Sequence, residues 1–355
     1  MASSQGMSLA SKFQGAIVGA VFGDCLGAKF EYFWGPMPNK PVVKYYETLI
    51  NEVRSQKDGE KGFVFYTDDT CMTFDLGESL VKCKEFVPRD VARNFGETYF
   101  AAPSQRYYGA NVGFIFRSTK VNDYRNPFNP AKEQFNGSGS YGNGSAMRVS
   151  PVPLFHHKDK VKIAELASHQ SKLTHTNPKG INGAILQALA IEKAMTTEGI
   201  RDSVSFAREL MTDLENVTTT KEELDVYDEK MKIVIKLIEQ KTEVKAEDVI
   251  NGGIKTDVTA HEAVPAAIFC FLYTLNEKNI PELSKFNGLV RAVIYAAAIS
   301  LDSDTVASMA GAIAGAYYGI EMIPPEWIEA CEGSDRALKL ADDLYKLNKN
   351  NKEAV

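Results

Sequence analysis

Two short acidic segments carry the side chains with the clearest chemical potential in this sequence. The first is YTDDTCMTF, from Tyr66 to Phe74, and the second is LDSDTVASM, from Leu301 to Met309. Each stands directly before an apolar pattern of helical spacing, so each is predicted to begin a helix. Asp and Thr are favoured N-caps, and carboxylates suit the positive end of the helix dipole. Helix capping is therefore one interpretation of each segment.

A cation site is the second interpretation, because a cap uses only one or two side-chain oxygens. The two segments together offer a larger set of oxygen ligands, namely Thr67, Asp68, Asp69, Asp302, Asp304 and Thr305. If the two helix starts meet, the carboxylates crowd one site, and like charges at short range do not all stay ionised unassisted. Oxygen-only ligands favour Mg²⁺, Ca²⁺ or Mn²⁺ over zinc, and these carboxylates are enough for two ions.

A glycine-dense segment, FNGSGSYGNGSAMR from Phe135 to Arg148, precedes another helical pattern. Glycines allow backbone N–H groups to close around an anion, so a phosphate or pyrophosphate is the expected guest. The segment matches neither the P-loop nor the dinucleotide fingerprint, and a mobile loop is the alternative. His175 stands just before Asn177-Pro178, a good helix start. It either supports that turn or contacts the ligand.

Helices are predicted to position all of these segments. Apolar residues recur at helical spacing in most of the chain, most clearly over residues 184–195, 227–240 and 262–275. The best strand candidate is VVKYYETLI, residues 42–50, whose pattern is ambiguous. The charge-rich stretch 196–247 keeps a helical period and is predicted to form peripheral helices rather than a linker. We therefore predict an all-α fold, with one compact multi-helix domain over residues 1–355.

Two series of glycines are predicted to bring the chain ends together. Their members are spaced by four residues: Gly15, Gly19, Gly23 and Gly27 in one series, Gly311, Gly315 and Gly319 in the other. This spacing places them on one helix face, where another helix can approach closely. Each glycine inside a helix costs about 0.5–1 kcal/mol relative to alanine, so a series implies a packing role. Both ends of the chain should meet in the centre of the domain.

The overall composition restricts the classes of partner. A net charge of −6 and a pI near 5.6 disfavour nucleic acid and anionic membranes. Five scattered cysteines without CxxC spacing fit a reducing compartment. The apolar run from Phe13 to Gly23 is shorter than the roughly 20 residues that span a membrane, so it is predicted to be a buried helix rather than a signal-peptide core. We expect a cytoplasmic or other intracellular protein.

Several segments together resemble the ADP-ribosylglycohydrolase family, most closely its serine-linked ADP-ribosylhydrolase branch and the related jellyfish lens J-crystallins. The matching segments follow the family order: GAIVGAVFGDCLGAKFE, YTDDT, QFNGSGSYGNGSAMRV, LTH, NGAILQALA, AIFCFL, and DSDTVASMAGAIAGAYYG with PPEW beyond. The resemblance implies a compact all-α fold with a binuclear Mg²⁺ centre. The ligands of the two ions would be Thr67, Asp68, Asp69, Asp302, Asp304 and Thr305.

The resemblance also implies an activity and the residues that carry it. Glu31 falls at the position of the family's catalytic glutamate. The diphosphate of ADP-ribose would bind the loop Gly139, Ser140, Tyr141, Gly142 and Asn143, with Phe135 and His175 nearby. The implied reaction is Mg²⁺-dependent hydrolysis of the O-glycosidic bond in ADP-ribosyl-serine or a related conjugate. The alternative is an eye-lens crystallin built on the same fold, with a retained or impaired ADP-ribose and Mg²⁺ site.

One dipeptide departs from the family pattern. Family members carry Gly-Gly just before the DxDT segment, whereas this chain has Ser300-Leu301. Glycines at such a place let the backbone approach a ligand or a metal closely. The bulkier pair is therefore expected to narrow the site.

Overall fold

Eighteen α-helices form the fold within residues 7–31, 37–55, 62–101, 106–218, 220–240 and 243–353, the parts of the chain that the computed structural model describes. The first nine are α1 (Leu9–Gly27), α2 (Asn39–Ser55), α3 (Asp68–Cys83), α4 (Pro88–Ala101), α5 (Val112–Val121), α6 (Asn129–Glu133), α7 (Gly144–Met147), α8 (Pro151–Phe155) and α9 (Lys160–Ser171). The other nine are α10 (Pro178–Thr196), α11 (Ser203–Val217), α12 (Leu224–Ile238), α13 (Ala246–Gly252), α14 (Ala260–Thr274), α15 (Gly288–Ile299), α16 (Ser303–Tyr318), α17 (Pro325–Ala330) and α18 (Ser334–Glu353). These ranges contain no β-strand, so the all-α prediction is confirmed.

The centre of the domain consists of helices that are buried on every side. Every residue of α15 is buried, and α1, α14 and α16 are buried over nearly their whole length. A helix that is apolar all round belongs inside a core. Helices such as α11 and α12 lie outside this centre and bury only one stripe each. The predicted peripheral helices of the charge-rich stretch are thus confirmed, and the chain forms one compact helical domain.

The strand candidate at residues 42–50 is wrong, because this stretch lies inside α2. Its buried side chains are Val42, Val43, Tyr46 and Leu49, which lie on one face of a helix. The residues between them are exposed, except for the partly buried Tyr45. The β-branched pair at the start suggested a strand, but burial follows the helical period, and packing outweighs intrinsic propensity.

The two glycine series form the closest helix contact of the domain. A Cβ atom added at Gly15 would lie 2.2 Å from the carbonyl oxygen of Gly315, and one added at Gly19 would lie 2.4 Å from that of Gly311. At the other end of the contact, a Cβ on Gly27 would lie 2.3 Å from the carbonyl oxygen of Ser303. The helices α1 and α16 therefore run antiparallel with their backbones touching. The prediction that the two chain ends meet in the centre is confirmed.

Helix α1 also settles the nature of the apolar N-terminal run. Its residues from Phe13 to Gly23 are buried in the core, with Gln14 the half-exposed exception, as predicted for a helix of the folded domain. Within the described ranges, no helix combines the length and the apolar character needed to cross a lipid bilayer. All five cysteines are free thiols, as their spacing predicted.

Replacing Gly315 by alanine should destabilise the protein strongly. The new Cβ would lie 1.8 Å from the carbonyl oxygen of Gly15, so the α1 and α16 backbones must separate. We expect a loss of more than about 3 kcal/mol in the free energy of unfolding, measured by urea denaturation. Gly109→Ala is the matched control, since no atom lies within 4 Å of its added Cβ. Equal stability of the two variants would contradict the contact.

Candidate active site

A cavity of about 480 Å³ lies where the starts of α3 and α16 meet the glycine-rich loop. Most of the site residues predicted from the sequence line it: Glu31, Asp68, Phe135, Ser140, Tyr141, Gly142, Asn143, His175, Asp302, Asp304 and Thr305. The remaining three, Thr67, Asp69 and Gly139, lie next to these but do not line the cavity. The fold therefore brings both acidic segments, Glu31 and the glycine loop to one place.

The start of α3 is held by a carboxylate that the sequence prediction did not include. Asp24, buried near the end of α1, accepts hydrogen bonds from the backbone N–H of Thr67 at 3.0 Å and of Thr70 at 3.1 Å. The Thr70 hydroxyl donates a further bond at 2.6 Å. Thr67 itself is the N-cap, its hydroxyl accepting from the N–H of Asp69 at 3.4 Å. Capping thus occupies Thr67, Thr70 and Asp24, and it leaves the carboxylates of α3 free for another role.

The start of α16 is tied to both other parts of the site. Asp302 is the N-cap residue, but its side chain makes no capping hydrogen bond. Instead, its carboxylate accepts a 2.6 Å hydrogen bond from the side-chain amide of Asn143 in the glycine loop. The hydroxyl of Thr305 donates to the Asp69 carboxylate at 3.1 Å, which joins α16 to α3. The capping interpretation of this segment therefore does not describe Asp302.

Burial is the main influence on the carboxyl groups of the cluster, and mutual repulsion is the second. Burial, followed by the charges of neighbouring carboxylates, raises the pKa of Asp68, Asp69 and Asp304 well above the usual aspartate value. Burial raises the pKa of Glu31 to about 7, with added repulsion from Asp302 and Asp24. Like charges that cannot reach water disfavour the ionised form in this way. Without a bound cation, the cluster therefore retains protons, and binding of a cation would displace them.

The donor atoms fit a hard cation. Asp69 Oδ2 and Glu31 Oε2 are buried and have no hydrogen-bond partner among the described residues. Such unpaired carboxylate oxygens are costly, and carboxylate and hydroxyl oxygens are the ligands that Mg²⁺ or Ca²⁺ takes. Yet no three His, Cys, Asp or Glu side chains in the described ranges already surround a common point. The carboxylate side chains must therefore move closer together to bind a cation. Without the cation, their mutual repulsion opposes that movement.

The glycine loop is shaped by close contact with His175 and the chain beside it. Gly139 has a φ of +71°, and a Cβ there would lie 2.1 Å from the Thr176 hydroxyl. A Cβ on Gly144 would lie 2.8 Å from the His175 ring. Burial and the charge of Arg148 lower the pKa of His175 to about 3, so its ring is neutral. These glycines let the loop backbone lie against a neutral imidazole at the cavity wall.

Two aromatic rings flank the cavity mouth. The rings of Phe135 and Tyr141 have centroids 6.5 Å apart and an interplanar angle of 34°. Their side chains are 50% and 45% exposed, which is unusual for large aromatic groups in this protein. Exposed rings that face each other offer π-surfaces to a planar ligand group.

A buried arginine lies on the cavity floor and was not predicted. Arg148 donates to the side-chain oxygen of Gln170 at 2.8 Å and to its carbonyl oxygen at 2.9 Å, and its guanidinium lies over the Phe95 ring. Burial lowers its pKa to about 9. Its position at the end of the glycine-rich segment was a weak indication in the sequence that it belongs to the site. It adds positive charge beneath a loop suited to anions.

The expectation that Ser300 and Leu301 narrow the site is wrong, because neither residue lines the cavity. Ser300 is buried with extended backbone angles of φ −100° and ψ 147°. Leu301 is 37% exposed, and its N–H donates to the Thr256 carbonyl at 3.2 Å. Neither position requires the left-handed conformation that favours glycine. Their side chains therefore leave the cavity open.

Comparison with known proteins gives one consistent family. The profile of the family described as ADP-ribosylglycohydrolase matches residues 5–354. The ADP-ribosylhydrolase ARH3 of Mus musculus is 37% identical over 350 residues, covering 95% of this chain and 92% of the mouse protein. The protein of the same name from Homo sapiens is 36% identical over 348 residues, covering 95% and 93%. A solved structure, the ADP-ribosylglycohydrolase-related protein complex, shares the fold at a TM-score of 0.62 and 20% identity, covering 96% of this chain and 98% of its own.

Replacing Asp69 by asparagine should separate cation binding from capping. The folded-state pKa of Asp69 lies far above its usual value of 3.8, so the wild type without metal loses stability as the pH rises above about 4. We expect Asp69→Asn to be more stable than the wild type by about 1–3 kcal/mol at pH 8 without metal. Its affinity for Mg²⁺ should fall at least about tenfold, seen as a smaller rise of Tm in MgCl₂ titrations.

Asp90→Asn is the control for this comparison. Asp90 also lies in the first turn of a helix, α4, but it is paired with Lys82 at the surface. Its replacement should leave the Mg²⁺-dependent rise of Tm unchanged. An undiminished response to Mg²⁺ in Asp69→Asn would mean that the Asp69 carboxylate does not bind the cation.

Proposed function

Because the chain belongs to the ADP-ribosylglycohydrolase family and is thus a glycosidic-bond hydrolase, we propose that it is an Mg²⁺-dependent ADP-ribosylhydrolase. Its proposed reaction cleaves the O-glycosidic bond between ADP-ribose and serine. The observation that carries the proposal is the meeting of Glu31, both acidic helix starts and the glycine loop around one cavity. A water molecule adds to the anomeric carbon of the ribose, the bond to the serine oxygen breaks, and ADP-ribose and serine are released.

Hydrolases of this family are generally metal-dependent, and we assign the metal here as two Mg²⁺ ions. The residues that would hold them are Thr67, Asp68, Asp69, Asp302, Asp304 and Thr305. Bound Mg²⁺ supplies positive charge that orients oxygen ligands and lowers the pKa of a coordinated water. Asp69 and Thr305 already share a hydrogen bond, so the two helix starts are held together before binding. Asp24 positions Thr67 from behind and has its own partners.

Glu31 is the proposed acid–base residue of the reaction. Its carboxyl lines the cavity, one of its oxygens has no hydrogen-bond partner among the described residues, and in the absence of a metal ion burial raises its pKa to about 7. A group with such a pKa is able both to donate a proton to the leaving serine oxygen and to accept one from water.

The other end of the cavity suits the ADP portion. Residues Ser140 to Asn143 line this end of the cavity and are the proposed site of the diphosphate, with the positive charge of Arg148 nearby. The adenine base stacks at the mouth against Phe135 and Tyr141. Neutral His175 packs against the loop and keeps its backbone in place. Asn143 links the two ends, because its amide bonds Asp302.

The eye-lens alternative makes the opposite prediction for the same assays. A chain retained only for abundance and stability keeps the helical core but has no need of Mg²⁺-dependent turnover. Unpaired buried carboxylates reduce stability, and selection for stability alone would remove them. Their presence favours the enzyme. Absence of both ADP-ribose binding and turnover would favour the lens protein.

Replacing Glu31 by glutamine should abolish most of the activity. An amide of the same shape transfers no proton, so kcat on an ADP-ribosylated serine peptide should fall by about 10²–10⁴-fold. Affinity for ADP-ribose, measured by calorimetry with Mg²⁺ present, should change less than about threefold. Glu215→Gln, at an exposed position of α11, serves as the control and should keep full activity. Unchanged turnover in Glu31→Gln would remove Glu31 from the chemistry.

Replacing Phe135 by alanine should weaken ADP-ribose binding about tenfold. Base stacking on an aromatic ring is worth about 1–3 kcal/mol, and half of this ring is exposed at the cavity mouth. The Kd for ADP-ribose reports the change, while the Tm response to Mg²⁺ alone should stay as in the wild type. Phe100→Ala removes a similarly exposed ring that lies outside this cavity. An equal effect of both variants would contradict the stacking role.

A further inference from the structure

A second groove, of about 330 Å³, lies directly beside the acidic cluster. The two cavities share Tyr107, which lines both. They also share two chain segments. Ala28 and Lys29 line the groove while Glu31 lines the main cavity, and Thr67 lines the groove while Asp68 lines the main cavity. The wall between them is thus made of the proposed reaction centre itself.

The order of the subsites follows from this shared wall. In the proposed function, the ADP portion lies against the glycine loop and the scissile bond lies at Glu31. The leaving group is on the opposite side of that bond from the ribose, so it must continue past Glu31. The groove begins at that point, since the residues immediately before Glu31 and Asp68 form its near side. The groove therefore adjoins the place at which the leaving group would depart.

The chemistry of the groove fits a short peptide. Phe65 is 63% exposed beside it, and the ring of Tyr45 forms part of its wall with the Lys29 ammonium 5.8 Å from the ring centroid. Glu52 adds one acidic side chain. An exposed aromatic residue next to balanced charges is typical of a peptide or protein contact. Because Lys29 and Glu52 together give these side chains no net charge, the groove offers little attraction for the diphosphate of a nucleotide leaving group.

We propose that this groove binds the peptide segment that flanks the ADP-ribosylated residue of a protein substrate. The proposal rests on the proposed function. The groove is small for a ligand pocket, so it takes a few residues in extended conformation rather than a folded surface. Phe65 is the main apolar contact, and Lys29 and Glu52 select the charge of neighbouring residues. Recognition of the flanking peptide is thereby separate from recognition of ADP-ribose.

The test compares two substrates with the same bond, an ADP-ribosylated serine peptide and ADP-ribosyl-serine as the single amino acid. We expect Phe65→Ala to lower the ratio of kcat/KM on the peptide to kcat/KM on the small conjugate by about fivefold or more. Phe100→Ala, which removes an exposed ring elsewhere, should leave the ratio at the wild-type value. Circular dichroism and Tm confirm that both variants are folded.

The remaining outcomes distinguish the two proposals. An unchanged ratio in Phe65→Ala, or equal losses on both substrates, would overturn the peptide groove and leave the hydrolase intact. A wild type without activity on either substrate would overturn the proposed function, and the groove assignment with it. A loss confined to a conjugate with a nucleotide leaving group would assign the groove to that class and overturn the peptide.

Discussion

Burial of several carboxyl groups close to one another is the constraint on which the arrangement of this protein depends. The acids of α3 and α16, with Asp24 and Glu31, occupy one region from which water is largely excluded, and several of their pKa values are raised as a result. Each contact around them offsets part of that cost. Asp24 is compensated by the start of α3, Asp302 by Asn143, and Asp69 by Thr305. Asp69 Oδ2 and Glu31 Oε2 have no hydrogen-bond partner among the described residues, so the cost of burying them is not offset by the fold alone.

Backbone contact between α1 and α16 is what holds these charges together. With glycines facing each other, two helices approach until an added methyl group would overlap a carbonyl oxygen. Side chains of ordinary size between them would keep the end of α1 away from the start of α16. The Ser303 hydroxyl donates to the Gly27 carbonyl at 2.9 Å, and this bond holds the end of α1 against the start of α16. The glycines of α1 and α16 therefore determine how close together the carboxylates at the ends of these helices lie.

Much of this arrangement was predictable from local patterns in the sequence, and the rest depended on distant partners. Helical period, caps and glycine spacing predicted the helices and both acidic starts, because these signals lie within a few residues. Asp24 carried no local signal, since its partner Thr67 is 43 residues away. The burial of Arg148 likewise depends on Gln170, 22 residues on. The prediction that Ser300 and Leu301 narrow the cavity was wrong because residue types alone do not tell in which direction the side chains point.

The pairing of α1 with α16 has a consequence for the order of folding. The Ser303–Gly27 hydrogen bond joins residues 276 apart in sequence, and the Thr305–Asp69 bond joins residues 236 apart. Contacts of such separation form late, because chain entropy must be lost before they contribute. Until these contacts form, the acidic cluster that would receive a cation is incomplete. A bound cation would then act mainly on the unfolding rate, so that it prolongs the lifetime of the native state rather than helping the chain to reach it.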